Sequence, residues 1–259
     1  MTPDRTGAGA VNPPAENAFV IRTAQLRMRF DHGEAEVAAL RGVDLAVRAG
    51  EFLCVMGPSG SGKTTLLSIL GCLARPTDGD YQLAGKNVTY VDEREAARVR
   101  RERIGFVFQG FSLVARSTAL QNVELPLAYA HVSPSERRDR ALAALSAVGL
   151  VDRADHLPNQ LTDGQQQRVA VARALVIRPD VVLADEPTAN LDADTAERLL
   201  DVLGEVHAGG VTIVMATQVR EVAERGSRIV HLLDGRIDAE EQVAVSFRRV
   251  AGPCGSSTT

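Results

Sequence analysis

Gly57-Pro58-Ser59-Gly60-Ser61-Gly62-Lys63-Thr64 stands between two apolar runs, Phe52-Leu53-Cys54-Val55-Met56 and Leu66-Leu67-Ser68-Ile69-Leu70. The first run has the length and composition of a buried strand, and the second suits a helix. Glycines between them let successive backbone N–H groups turn inward, which is how a loop cradles α- and β-phosphates. The N-terminus of the following helix adds its dipole to the same anion. The nucleotide-binding residues are then Gly57, Pro58, Ser59, Gly60, Ser61, Gly62, Lys63, Thr64 and Thr65. In such a loop the lysine, Lys63, reaches the β- and γ-phosphates and the Thr64 hydroxyl ligates Mg²⁺. Composition singles out Lys63, because the 29 basic residues include only two lysines, Lys63 and Lys86.

The chain has 259 residues, enough for one large domain or two small ones with a substantial core. A net charge of −4 gives no electrostatic case for nucleic acid or for a basic membrane-binding patch. No apolar run approaches the roughly 18–20 residues that span a bilayer. Residues 1–17 are rich in Pro, Gly and Ala without a hydrophobic centre, so the expectation is a disordered leader, with a frayed tail at the other end. Cys54, Cys72 and Cys254 have neither metal-site nor disulfide-framework spacing, which makes a reducing cytoplasm the default.

Around the loop, Ala18–Arg29 and Val37–Val47 alternate partially and read as an antiparallel pair of strands. Asp78-Gly79-Asp80 reads as a turn before another short strand, and Ile104–Phe108 as a buried strand ending at Gln109. From Ser117 to about Leu157 the pattern becomes helical, punctuated by Pro126 and Pro134, which suggests an inserted helical subdomain over about residues 111–163. Helix Gln165–Val176, strand Val181–Ala184, helix Asp194–Val206 and strands Val211–Ala216 and Arg228–Leu233 follow. Strands alternating with helices imply an α/β fold with a mainly parallel sheet. The expected domain runs over 18–239, followed by an extension over 240–259.

Val181-Val182-Leu183-Ala184-Asp185-Glu186-Pro187 is an apolar strand ending in two carboxylates. A strand points adjacent side chains to opposite faces, so the pair should divide its work. Asp185 is placed to hold Mg²⁺ and Glu186 to polarise an attacking water; the plainer alternative is a solvated turn.

Leu161-Thr162-Asp163-Gly164-Gln165-Gln166-Gln167-Arg168 resembles the signature loop of ABC-type ATPases, usually LSGGQ followed by a helix. Gln109 matches that family's Q-loop, and Ala189-Asn190-Leu191-Asp192 its D-loop. Thr118–Leu127 together with 189–192 is similar to the lipoprotein-releasing, macrolide-exporter and cell-division group. The resemblance implies a P-loop NTPase core with an antiparallel N-terminal β-subdomain and an inserted helical subdomain. It also implies a head-to-tail dimer with a second ATPase subunit. Each of two ATP molecules lies between one subunit's phosphate loop and the other's Thr162, Asp163, Gly164 and Gln165. Gln109 contacts Mg²⁺ or the attacking water, and Asp192 contacts the partner across the dimer. Phe30 either stacks on adenine or is a core residue at a strand end. The region around Leu120–Ala130 either receives a coupling helix of an integral membrane permease or is ordinary helical core. The resemblance places the chain in the cytoplasm, peripheral on the inner face of the membrane.

Two positions leave the family pattern. Where the family has Thr-His-Asp, with the histidine on the γ-phosphate, this chain has Thr217-Gln218-Val219. Glutamine still hydrogen-bonds but cannot become cationic, and loss of one transition-state donor typically costs about 10²–10³ in rate. The second departure is Asp163. Its carboxylate either faces the partner's γ-phosphate, a like-charge clash of several kcal/mol at an effective dielectric of about 20, or turns to solvent and caps a helix beginning near Gln165. Asp163 also replaces a residue that tolerates positive φ. Both departures predict a subunit that binds MgATP and hydrolyses it slowly. A non-hydrolysing regulatory module, or the degenerate half of a heterodimer, is the alternative.

Overall fold

A computed structural model describes residues 19–32 and 35–243. The expected leader over 1–17, Cys254 and positions 244–259 of the extension lie outside the described residues.

Two sheets organise the chain. The first is antiparallel, ordered β2-β1-β4-β5, from β1 (Phe19–His32), β2 (Ala35–Arg48), β4 (Asp78–Leu83) and β5 (Lys86–Asn87). The second has six strands ordered β10-β9-β3-β8-β7-β6: β3 (Phe52–Met56), β6 (Ile104–Val107), β7 (Val181–Asp185), β8 (Thr212–Thr217), β9 (Arg228–Leu233) and β10 (Arg236–Gln242). Strands β9, β3, β8, β7 and β6 pair in parallel, and only β10 runs antiparallel, at the edge.

The larger sheet is buried on both faces, as parallel sheets are. Alternation along β3 sends Phe52 and Cys54 into one hydrophobic cluster and Leu53 and Val55 into another. The first cluster is closed by α3 (Ala119–Tyr129), α4 (Pro134–Ala147), α5 (Asp163–Leu175) and α6 (Ala193–Ala208). The second is closed by the antiparallel sheet with α1 (Lys63–Leu70) and α2 (Glu93–Arg103). Each core holds one buried free thiol, Cys54 in the first and Cys72 in the second. Burial pushes the Cys54 thiol up to about 12 and that of Cys72 up to about 11, the latter opposed by the nearby charge of Arg100. Among the described residues no helix is long and apolar enough to cross a membrane.

Several expected boundaries shift. Asp78-Gly79-Asp80 lies inside β4, because Gly79, at φ 93, accepts the close approach of β1. A Cβ there would sit 2.4 Å from the Gln25 carbonyl. Pro126 lies within α3 and does not end it. The domain continues past 239, since β10 runs to Gln242 and pairs with β9.

Candidate functional site

The phosphate loop joins β3 to α1 at the carboxyl edge of the larger sheet. Gly57 and Gly62 are dictated by space: a Cβ would lie 2.1 Å from the Leu232 carbonyl at the first and 2.6 Å from the Ala39 carbonyl at the second. Gly62, at φ 104, is also the N-cap of α1 and offers no side-chain cap. The first-turn N–H groups of α1 are therefore left to whatever anion the loop receives. Lys63, 6% exposed, donates from Nζ to the Gly57 carbonyl at 2.8 Å and the Pro58 carbonyl at 3.0 Å. Thr64 is exposed and Thr65 half-buried on the same turn.

Strand β7 delivers both carboxylates to this edge. Asp185 is its last residue, and burial raises its carboxyl above the usual range while the Thr64 hydroxyl and the Lys63 charge oppose the rise. Glu186 lies beyond the strand, in a left-handed conformation at φ 45, and its N–H donates to the Ala216 carbonyl at 3.0 Å. The expected pleat alternation is thus replaced by a backbone reversal, which costs of order 1–3 kcal/mol for a non-glycine residue. It brings Glu186 Oε1 to 4.0 Å from Lys63 Nζ.

Among the described residues, six buried side-chain atoms have no hydrogen-bond partner, and three of them belong here: Ser61 Oγ, Asp185 Oδ1 and Glu186 Oε1. Buried polar groups are nearly always paired, so these oxygens are the groups here with bonding capacity to offer a ligand. A hydroxyl and two carboxylates beside one lysine are a donor set that fits Mg²⁺ bound to phosphate.

Gln218 follows β8, which lies between β3 and β7, so the topology brings it to the same edge, exposed. Gln109 follows β6, the outermost parallel strand; it is exposed, and Asn190 Nδ2 donates to its carbonyl at 3.1 Å. Phe30 is 39% exposed and pairs with Val37 on β2, the strand whose Ala39 carbonyl abuts Gly62. That exposure removes the reading of Phe30 as a core residue.

The signature segment opens α5. Thr162 is its N-cap, accepting from Gln165 N at 3.3 Å while Gln165 Oε1 accepts from Thr162 N at 3.0 Å. Asp163 is therefore not the cap; it is the first helical residue, exposed, where the helix dipole favours a carboxylate. Nor does this position call for positive φ, since Asp163 is absent from the left-handed residues. The glycine that packing requires is Gly164, whose Cβ would fall 2.1 Å from Thr195 Cγ2 on α6. Asp192 caps α6, accepting from Thr195 N at 3.0 Å and from Thr195 Oγ1 at 2.7 Å, bonds that lower its carboxyl from the usual range.

One residue escaped the sequence reading. Gln167, fully buried in α5, donates from Nε2 to the carbonyls of Phe108 at 3.1 Å and Pro187 at 2.9 Å. Its signal was present: positions 167, 170, 171 and 174 form one buried helical stripe headed by a glutamine among Ala and Val.

Comparison with known proteins fits this geometry. A family model described as ABC transporter matches residues 40–189. The chain is 46% identical over 243 residues to a macrolide export ATP-binding/permease protein MacB of Rhodopseudomonas palustris, covering 94% of this chain and 37% of that protein, so it spans little more than a third of that relative. It is 50% identical over 218 residues to an uncharacterized ABC transporter ATP-binding protein of Thermotoga maritima, covering 84% of this chain and 93% of that one. The dimeric post-hydrolysis structure of the ATP-binding cassette MJ0796 with ADP and Pi superposes with a TM-score of 0.80 at 43% identity, over 86% of this chain and 98% of that one.

Proposed function

The chain belongs to the ABC transporter family as an ATP-binding cassette, and on that premise we propose that it is the MgATP-binding subunit of a membrane transporter complex, working as a head-to-tail dimer. The observation that carries this reading is the set of unpartnered buried oxygens, Ser61 Oγ, Asp185 Oδ1 and Glu186 Oε1, gathered around Lys63. When bound, Mg²⁺ supplies charge neutralisation at the phosphates, and Thr64, Asp185 and Gln109 are the residues that would hold it.

Lys63 and the loop N–H groups bind the anion, and Glu186 Oε1 accepts a proton from water. Gln218 offers a neutral hydrogen bond where a cationic group would stabilise charge better. The second subunit, identical or different, places its Thr162, Asp163, Gly164, Gln165 and Asp192 against this site. Phe30 stacks on the adenine.

An integral membrane permease is the proposed second partner, which puts the chain in the cytoplasm on the inner face of the membrane. A groove of about 810 Å³ between the helical layer and β6 supports this. Its lining includes Phe106, Ile177 and Tyr129, the last 67% exposed, while the lining arginines Arg100 and Arg101 are paired with Glu93 and Glu102.

Gln218 and Asp163 favour slow hydrolysis by the homodimer, or a regulatory or heterodimeric role with little hydrolysis of its own. The test is ATP binding and ATP turnover by the purified chain, alone and with its membrane partner. Absence of MgATP binding overturns the reading; binding with turnover that Gln218→His or Asp163→Gly raises supports it. Binding without turnover in any of these supports the regulatory form.

A further inference from the structure

Helix α5 reaches both ends of the candidate site. Its first turn carries Asp163 and Gly164, and one turn later, about 6 Å along the axis, Gln167 enters the interior. There a single amide nitrogen holds two carbonyls from the segments just beyond the ends of two adjacent strands. Phe108 immediately precedes Gln109, and Pro187 immediately follows Glu186. Strands β6 and β7 pair in register up to Val107 and Ala184, so the Gln167 bridge lies just past the end of their ladder.

The same helix grips the first of these segments again at Arg173, whose guanidinium donates to the Phe111 carbonyl at 3.1 Å and the Ser112 carbonyl at 2.7 Å. Phe111 and Ser112 both have left-handed backbones, at φ 48 and φ 51, so the segment after Gln109 is held in a conformation that its own residues disfavour. Gln167 Oε1 is buried with no partner. The amide orientation is fixed, since only its nitrogen can face two carbonyls. A buried acceptor left empty is unfavourable, which argues that the two donated bonds are worth keeping.

We infer that Gln167 is a positioning residue: it sets the separation of Gln109 and Glu186 and ties that separation to the engagement of the first turn of α5 with the second subunit. The inference rests on the ATPase reading above. In that reading the first turn of α5 meets the partner's nucleotide while Gln109 and Glu186 act on the chain's own. A shift of the helix along its axis then moves both carbonyls together, and with them the residues on either side.

The test uses the full chain and MgATP. Gln167→Met keeps the side-chain length and removes both donors, and Gln167→Glu keeps the shape but presents acceptors to two carbonyls. Both are expected to lower kcat by about tenfold or more while leaving the MgATP Kd within about threefold, because the interaction acts on placement of catalytic groups and not on ground-state binding. Gln166→Met is the control: Gln166 donates from the same helix to the Leu161 carbonyl instead of to either segment, so its kcat should stay close to wild type.

The chain has no tryptophan, so Phe108→Trp installs a single reporter on the held segment. Its emission should shift on MgATP binding, and the shift should vanish when Gln167→Met is added. A kcat within twofold of wild type for a folded Gln167→Met, or a loss matched by Gln166→Met, overturns the inference. So does an emission shift that is the same with and without Gln167, or absent from both. If the wild type binds MgATP without turning it over, the hydrolytic reading fails on its own and the emission comparison still decides the role of Gln167.

Discussion

Gly164→Ala should destabilise the chain in the wild-type background and not in Thr195→Ser. The added Cβ would lie 2.1 Å from Thr195 Cγ2, while the next nearest atoms, Thr195 Cβ at 3.5 Å and Oγ1 at 3.8 Å, are at ordinary contact distances. One methyl is therefore the whole obstacle. If α5 backs away, overpacking costs about 1–3 kcal/mol. If Thr195 rotates, it gives up the 2.7 Å bond to Asp192, worth about 1 kcal/mol. Alanine recovers up to about 1 kcal/mol of helix propensity, leaving a net loss of up to about 2 kcal/mol. Thr195→Ser keeps the hydroxyl and removes Cγ2, so in that background the same change should be neutral or stabilising. The coupling expected from the cycle is about 1–3 kcal/mol, as for residues in direct contact. Thermal unfolding followed by circular dichroism measures all four proteins, with each kcal/mol worth about 2–4 °C in Tm for a domain of this size. Equal costs of Gly164→Ala in both backgrounds would refute the contact and the reason given for this glycine.

Asp185→Asn should raise the stability of the nucleotide-free chain near neutral pH while abolishing MgATP binding. Because burial lifts the Asp185 carboxyl in the folded state, that state holds its proton to higher pH than the unfolded one. This group's contribution to stability accordingly falls as pH rises from the unfolded carboxylate value to the folded one, and Asp185→Asn should flatten that part of the stability–pH curve. Thr162→Ala breaks the capping box and should cost about 1 kcal/mol in unfolding experiments, with Thr162→Ser close to neutral. Asp163→Gly should lower stability by up to about 1 kcal/mol through helix propensity and the lost dipole contact, yet raise ATP turnover. A variant that is both less stable and no faster would remove Asp163 as a reason to expect slow hydrolysis. An amphipathic peptide should bind the groove through its apolar face, and Tyr129→Glu should weaken it; indifference to that change would argue against docking there.

The parts legible in the sequence were those where chemistry forces residue type. The loop at 57–64 combines glycines that have no room for a Cβ with a buried lysine, and the apolar runs of β3 and β7 match strands buried on both faces. Helix α2 escaped because EREAARVRRER buries only Ala96 and Val99, too few positions to set a period. Strand β10 escaped because RIDAEEQ is an edge strand with little buried surface. The capping alternative for Asp163 fails because a one-residue difference decides between cap and first turn, and Thr162 outcompetes it by closing the box with Gln165. Gln167 hides in a run of three glutamines whose polarity is uniform; only the stripe at 167, 170, 171 and 174 separates it from its neighbours.

The placement of one thiol in each core makes the two layers separately observable. Cys54 and Cys72 titrate far above neutrality and are shielded, so neither offers a thiolate to an alkylating reagent until its own side of the sheet opens. Under native conditions the rate at which each is modified is therefore a clock for local unfolding of the layer that covers it. If nucleotide clamps the phosphate-loop side first, MgATP should slow modification of Cys72 more than that of Cys54, giving a readout of order within one chain that needs no partner subunit and no turnover.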